Sequence, residues 1–181
     1  LWVCVLLYPG MVMAVPDKIP YTIVAVGDSL VKGYTLPKEQ SFPAQLENWL
    51  KRYGYNVTVI NAGINGETSG QALGRVEKIL SHNPDLVILV TGANDMLQKN
   101  SPEVAGKNLD EILTALKQSS SARVILAGMK ALPDYTEPYR EAFNAIYPDM
   151  ARQHQVEFFP FFLQDVAGIP EMNTGDGIHP N

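Results

Sequence analysis

Cysteine is all but missing from this chain, with Cys4 the only one. A single thiol excludes an intrachain disulfide and a zinc–cysteine cluster. Histidine is scarce too, and the three present, His82, His154 and His179, show no metal-ligand spacing; no metal or cofactor is expected. Positive charge is in deficit: the formal net charge of −5 argues against a general affinity for nucleic acid phosphates. An uninterrupted apolar run of the roughly 20 residues that a spanning helix needs is also lacking. Two catalytic signatures are absent as well, the GxSxG elbow of α/β-hydrolases and the GxxxxGK[ST] phosphate loop.

What is there begins with residues 1–14 (LWVCVLLYPGMVMA), which carry no charge and are broken by Pro9 and Gly10. The stretch resembles the tail of a secretory signal peptide; the alternative is a buried apolar strand. The expectation is a periplasmic or secreted protein whose mature chain starts near Val15, without a stable membrane anchor. Cys4 precedes most of the apolar run, which argues against lipid attachment. Residues 15–181 have the length of one domain with a sizeable core, and 46% apolar with 18% charged residues is ordinary for a globular protein.

Short β-rich runs at 22–26, 57–60, 86–90, 123–127 and 156–159 alternate with segments of helical period, at a spacing close to one βαβ unit. This pattern predicts an α/β fold with a five-stranded parallel sheet. Phe42, Leu46, Trp49, Leu50 and Tyr53 form one apolar stripe that would cover it, behind Ser41 as a helix cap. Leu73, Val76, Ile79 and Leu80 form a second; Leu109, Ile112, Leu113 and Leu116 a third; Tyr139, Phe143, Ile146 and Met150 a fourth.

In open α/β sheets the ligand site lies beyond the carboxyl ends of the strands. The residues there are Gly27, Asp28, Ser29 and Leu30 after the first strand, Asn61 to Gly66 after the second, and Gly92 to Asp95 after the third. Asp176 to Pro180 follow the fifth more distantly. A serine hydroxyl needs a base to attack a carbonyl at neutral pH, and that base needs a third group to orient it. His82 and His154 stand at helix ends, so His179 is the candidate base, with Asp176 three residues before it. Acyl transfer also needs preset donors for the developing oxyanion. Asn94 offers a side-chain amide, Gly66 an unobstructed backbone N–H, and Ser29 its own N–H at a helix start. Each feature alone has a plainer reading: a helix-capping serine, a turn glycine, a capping asparagine, a surface Asp–His turn. Their conjunction points to a serine hydrolase.

The four segments GDSL at 27–30, NAGINGETS at 61–69, TGAND at 91–95 and DGIHP at 176–180 resemble the ordered blocks of the SGNH (GDSL) hydrolases. Within that family the likeness is closest to bacterial arylesterases and multifunctional thioesterase/lysophospholipase enzymes, which share stretches like EAFNAIYPDMA. The resemblance implies a flavodoxin-like three-layer α/β/α sandwich. It also implies Ser29 as nucleophile, Asp176 and His179 as its partners, and an oxyanion hole of Ser29, Gly66 and Asn94. Relatives usually continue beyond the DxxHP block into a final helix, so 181 residues are expected to lack that C-terminal helix. Asp28 and Asp95 read as loop-holding residues.

The activity so implied is hydrolysis of carboxylic esters or thioesters (aryl and short to medium acyl esters, acyl-thioesters or lysophospholipids, as small-molecule or lipid ester substrates) through an acyl-enzyme on a monomer. Met96, Leu97, Leu132, Pro133 and Ile169 are candidates to contact the acyl group, or equally to pack under their loops. Two alternatives stand beside this: a carbohydrate O-acetylesterase of the same superfamily, and a non-catalytic flavodoxin-like module holding an anion or flavin at the GDSLVKG loop.

Overall fold

Runs of Val, Ile and Leu too apolar for a surface strand become the centre of the molecule. In the computed structural model, which describes residues 19–181, the strands are β1 (Tyr21–Gly27), β2 (Val57–Gly63), β3 (Leu86–Val90), β4 (Arg123–Ala127) and β5 (Glu157–Phe159). The expected leader at 1–14, with Cys4, lies outside the described residues. All strand pairs are parallel and the order is β2-β1-β3-β4-β5. Val24, Ala25 and Val26 of β1 and Val87, Leu89 and Val90 of β3 are inaccessible to solvent, as expected of parallel strands covered on both sides.

Among the described residues, seven α-helices connect the strands. From β1 the chain runs through α1 (Ser29–Lys32) and α2 (Phe42–Arg52) to β2. It returns through α3 (Ser69–Leu73) and α4 (Val76–Leu80) to β3 on the other side of β1, then proceeds outward through α5 (Ala93–Leu97) and α6 (Pro102–Ser119) to β4. Finally α7 (Glu137–His154) leads to β5. Right-handed crossovers put the outward journey to β2 on one face and the later ones on the other: α1 and α2 pack with β2, whereas α3, α4 and α7 pack with α6 or the strands it covers. The result is a three-layer α/β/α sandwich.

Two helical stripes differ from the sequence pattern. Leu73 and Val76 belong to separate short helices, because the chain bends at Gly74 and Arg75, where the Arg75 side chain turns inward. In α2, Phe42, Leu46 and Leu50 pack on the core, but Trp49 and Tyr53 are exposed and lie against each other, tilted, with ring centroids 4.5 Å apart. The helix is rotated so that Glu47 faces the edge strand, where its carboxylate accepts the Val59 N–H at 2.6 Å. Satisfying an open backbone donor of β2 thus takes precedence over burying two aromatics.

The carboxyl ends of the strands are flush. Gly27 lies opposite Gly63 and Val90, and Val90 opposite Ala127. A Cβ on Gly63 would run into the Lys32 backbone, so glycine there lets α1 fold directly over the end of β2. Because β1 and β3 are neighbours whose connections depart in opposite directions, a crevice opens between their ends. That crevice receives Ser29 from one strand and Asn94 from the other. Among the described residues no helix is long and apolar enough to cross a membrane.

Candidate active site

Ser29 is the first residue of α1. Asp28 caps that helix, accepting the Leu30 N–H on Oδ1 at 2.9 Å, so the turn from β1 holds the Ser29 hydroxyl at the crevice. The Ser29 Oγ lies 2.9 Å from Nε2 of His179, 150 residues away in sequence. Nδ1 of His179 lies 2.7 Å from Oδ2 of Asp176.

The loop that brings His179 back is closed by its own backbone. Thr174 N–H donates to the His179 carbonyl at 2.7 Å, Gly177 takes a positive φ of 69°, and Asn173 bridges to Pro180. Buried Asn173 anchors the loop by donating to the Val166 and Ile169 carbonyls at 2.7 Å each. Asp176 does two jobs at once. Its Oδ1 accepts the His179 and Ile178 N–H groups and the Thr174 hydroxyl, leaving Oδ2 for the imidazole. These bonds, the His179 N–H first and its ring second, hold the Asp176 carboxyl well below the usual carboxylate range. The Tyr34 ring lies against His179 with centroids 4.7 Å apart. A hydroxyl, an imidazole and a fixed carboxylate in this series can move the serine proton to Nε2 while the carboxylate steadies the imidazolium.

Across the crevice, Gly66 sits at φ 74° in the loop after β2, with open space where a side chain would project. The Ser29 and Gly66 N–H groups have no acceptor among the described residues. Asn94, in α5 after β3, turns its amide nitrogen toward two acceptors, the Asp28 Oδ2 at 3.2 Å and the Glu67 carbonyl at 3.1 Å. The loop bearing Asn94 is seated by Gly92, at φ 102°, where a Cβ would strike the Tyr147 hydroxyl. That hydroxyl donates to the Thr91 carbonyl at 3.0 Å.

Three acids lie buried on this side. Asp95 accepts the Ser69 N–H and hydroxyl, each at 2.7 Å, which ties α5 to the start of α3. Glu67 is paired with Arg75, whose Nε and Nη2 meet the two carboxylate oxygens, the latter at 2.6 Å; Nη2 also donates to the Ala62 carbonyl at 2.8 Å. Asp28 has no such cation. Burial pushes its carboxyl up to about 6, against the lowering effect of the Leu30 N–H, the His179 ring and the Asn94 amide.

Ser29, Gly66, Asn94, Asp176 and His179 all line one cleft of about 580 Å³, together with Met96, Leu97, Leu132 and Pro133. Two of its loops are stapled to each other: Tyr135 donates to the Met96 carbonyl at 2.5 Å and the Leu132 N–H to the Met96 sulfur at 3.2 Å. Ile169 does not reach the cleft lining; it stands before a 3₁₀ turn, where its carbonyl holds Asn173. His82 is exposed at the end of α4, and His154 ends α7 with Nε2 2.6 Å from Asp110, so neither comes near the serine. Spacing did not reveal the Glu67–Arg75 pair, the Tyr34 contact, or Phe161 and Leu163 in the cleft wall. The one available signal is an acid directly after Gly66, with an arginine eight residues on.

The family model described as GDSL-like Lipase/Acylhydrolase matches residues 25–181. An arylesterase of Vibrio mimicus is 40% identical over 159 residues, spanning 87% of this chain and 79% of that enzyme. The thioesterase 1/protease 1/lysophospholipase L1 of Escherichia coli (strain K12) is 35% identical over 161 residues, 88% of this chain and 76% of its own. The crystal structure of AlinE4, an SGNH-hydrolase family esterase, matches with a TM-score of 0.84 at 38% identity, covering 90% of this chain and 87% of that one. The chain belongs to the GDSL-like lipase/acylhydrolase family and is an SGNH-type esterase.

Proposed function

We propose that Ser29 is the nucleophile of this esterase, His179 its base, Asp176 the group that orients the base, and the N–H groups of Ser29, Gly66 and Asn94 the oxyanion hole. The observation that carries this reading is the continuous chain from Ser29 Oγ through the His179 ring to Asp176, at 2.9 and 2.7 Å, opening on a cleft that Gly66 and Asn94 share.

In the first step Ser29 Oγ attacks the acyl carbon and its proton passes to His179 Nε2. The carbonyl oxygen, now negative, accepts from the Ser29 and Gly66 N–H groups and from an Asn94 N–H that it takes over from, or shares with, one of that amide's two resting acceptors. The tetrahedral adduct collapses as His179 returns the proton to the leaving alcohol or thiol. Water then enters, gives a proton to His179 and attacks the acyl-enzyme carbonyl. The second adduct expels Ser29, which recovers its proton, and the carboxylic acid leaves.

Substrates are small acyl, aryl or lipid esters and thioesters. Met96, Leu97, Leu132, Pro133, Phe161 and Leu163 give the cleft an apolar wall for the acyl group, and its volume is that of a small-molecule site. Lys130 lies at the cleft with its Nζ 4.9 Å from the Phe161 ring centroid, a fixed positive group for an anionic leaving group. Arylesterase and lysophospholipase appear in the relatives' names, which supports the same range. A non-catalytic flavin or anion module would leave the Ser29–His179–Asp176 chain without a role. Export on the charge-free 1–14 stretch, one hydrolase domain over 15–181 and a monomeric working state complete the proposal.

The test is an acyl-chain-length series of p-nitrophenyl esters beside matched thioesters and lysophospholipids, run with wild type and Ser29→Ala. Turnover of at least one class that Ser29→Ala abolishes is expected. Undiminished turnover in Ser29→Ala would overturn the assignment.

A further inference from the structure

Asn94 can serve an oxyanion only if its nitrogen, not its oxygen, faces the reacting carbonyl, and a free carboxamide has little reason to choose. Here the choice is imposed. The nitrogen sits between the Glu67 carbonyl at 3.1 Å and the Asp28 Oδ2 at 3.2 Å, two groups that can only accept from it. One acceptor follows Gly66 in the chain and the other precedes Ser29. Both amide hydrogens are thus aimed at acceptors beside the two backbone segments that supply the other oxyanion donors, and the oxyanion takes over or shares one of them as it forms.

Resting on the catalytic reading above, we propose that Asp28 is a positioning residue for ester hydrolysis, acting through Asn94 by holding its amide nitrogen on the oxyanion side. The requirement is for a carboxylate rather than any polar group of that shape. Oδ1 accepts the Leu30 N–H that starts α1, and Oδ2 accepts from Asn94. Both oxygens face donors. An asparagine at 28 has one acceptor end and one donor end, so its NH₂ must confront either Leu30 N–H or the Asn94 amide. Keeping the helix cap forces Asn94 to turn its oxygen toward position 28, which reverses the dipole offered to the oxyanion. The position is buried, with Asp28 1% exposed, and water cannot relieve the conflict cheaply. This assigns the second residue of the GDSL segment a part in the chemistry beyond holding its loop. It also accounts for an uncompensated buried acid beside a site where negative charge develops.

The experiment is a double-mutant cycle on kcat with Asp28→Asn, Asn94→Ala and the pair, using a p-nitrophenyl ester that wild type turns over. Asn94→Ala should lower kcat by roughly 10²- to 10³-fold. Asp28→Asn should lower it by roughly 10²-fold with KM little changed, the mark of an interaction made in the transition state. The pair should fall no more than about threefold below Asn94→Ala alone, because the two residues act as one unit. Additive losses, or an Asp28→Asn enzyme with wild-type kcat, overturn the proposal. Asp28→Ser is the second variant: its hydroxyl can cap Leu30 but does not reach Asn94, so it should show the same kcat loss and the same non-additivity. Fluorophosphonate labelling of Ser29 in each variant separates the two readings. Unlabelled wild type would sink the nucleophile assignment, whereas full labelling with additive losses would sink only the role of Asp28.

Discussion

Arg75→Ala should be strongly destabilising, although Arg75 does not line the cleft. Glu67 is 3% exposed and its two carboxylate oxygens face Arg75, whose side chain is itself 14% exposed and also donates to the Ala62 carbonyl. Removing the arginine leaves a buried carboxylate without its cation and a strand-end carbonyl without its donor. Breaking a buried pair from one side costs about 3–5 kcal/mol, a large part of the ~5–15 kcal/mol that holds a domain together. Urea unfolding followed by tryptophan fluorescence measures this, with the midpoint falling and the slope unchanged. Activity should fall in the surviving native fraction, because Glu67 directly follows Gly66 and its own carbonyl holds Asn94. Replacing both partners with apolar residues of similar size, Glu67→Leu with Arg75→Met, should recover most of the lost stability, since neither charge is then stranded. A loss below about 1 kcal/mol in Arg75→Ala would refute the reasoning and make the pair an incidental one.

Asp176→Asn should keep its turn, because one oxygen can still accept Thr174, Ile178 and the His179 N–H. Its NH₂ would then face Nδ1, selecting the tautomer that cannot take a proton from Ser29, and kcat should drop roughly 10⁴-fold at unchanged unfolding midpoint; a loss under tenfold would contradict the orienting role. Stability should also carry a signature of Asp28. Its folded carboxyl, raised to about 6, stands above the roughly 3.9 of an unfolded aspartate, so the native state binds the proton more tightly. That contribution is fully present below about pH 4 and is lost as pH rises through about 6. Between pH 4 and 7 the stability of Asp28→Asn relative to wild type should therefore improve by up to about 3 kcal/mol, read from urea unfolding at each pH. A pH-independent difference would show that Asp28 is not held up by burial.

The strands legible in the sequence were those whose environment is uniform. β3 begins and ends where its apolar run does and β4 ends where its own does, because both faces of Val87 to Val90 and of the Leu126 region are covered. β1 and β2 each run on to a glycine, Gly27 and Gly63, that strand propensity would leave out; the register with neighbouring strands carries them in. Periodicity misjudged Trp49 and Tyr53 because it cannot see that Glu47 has an edge-strand donor to satisfy. It joined α3 to α4 because it cannot see Arg75 being drawn to Glu67. Strand order was not readable from spacing at all.

The site was legible to the extent that its residues follow strands. Ser29, Gly66 and Asn94 meet because three strand ends are flush, and that follows from a parallel sheet with a reversal between β1 and β3. His179 comes from a loop whose return depends on Asn173 and Thr174, residues with no motif of their own. The acids around Asn94 were hidden for a different reason. Their meaning lies in which atom faces which, and a sequence specifies residues before it specifies hydrogen-bond directions.

The central claim is that Ser29, activated by His179, forms a covalent bond with the acyl carbon. A fluorophosphonate is attacked by such an oxygen and remains attached, so peptide mass mapping after incubation reads the claim directly. The account predicts one adduct per chain, on the peptide containing Ser29, slowed strongly in His179→Ala and absent in Ser29→Ala. An adduct on another residue, or an esterase that turns over ester while Ser29 stays unmodified, would contradict it.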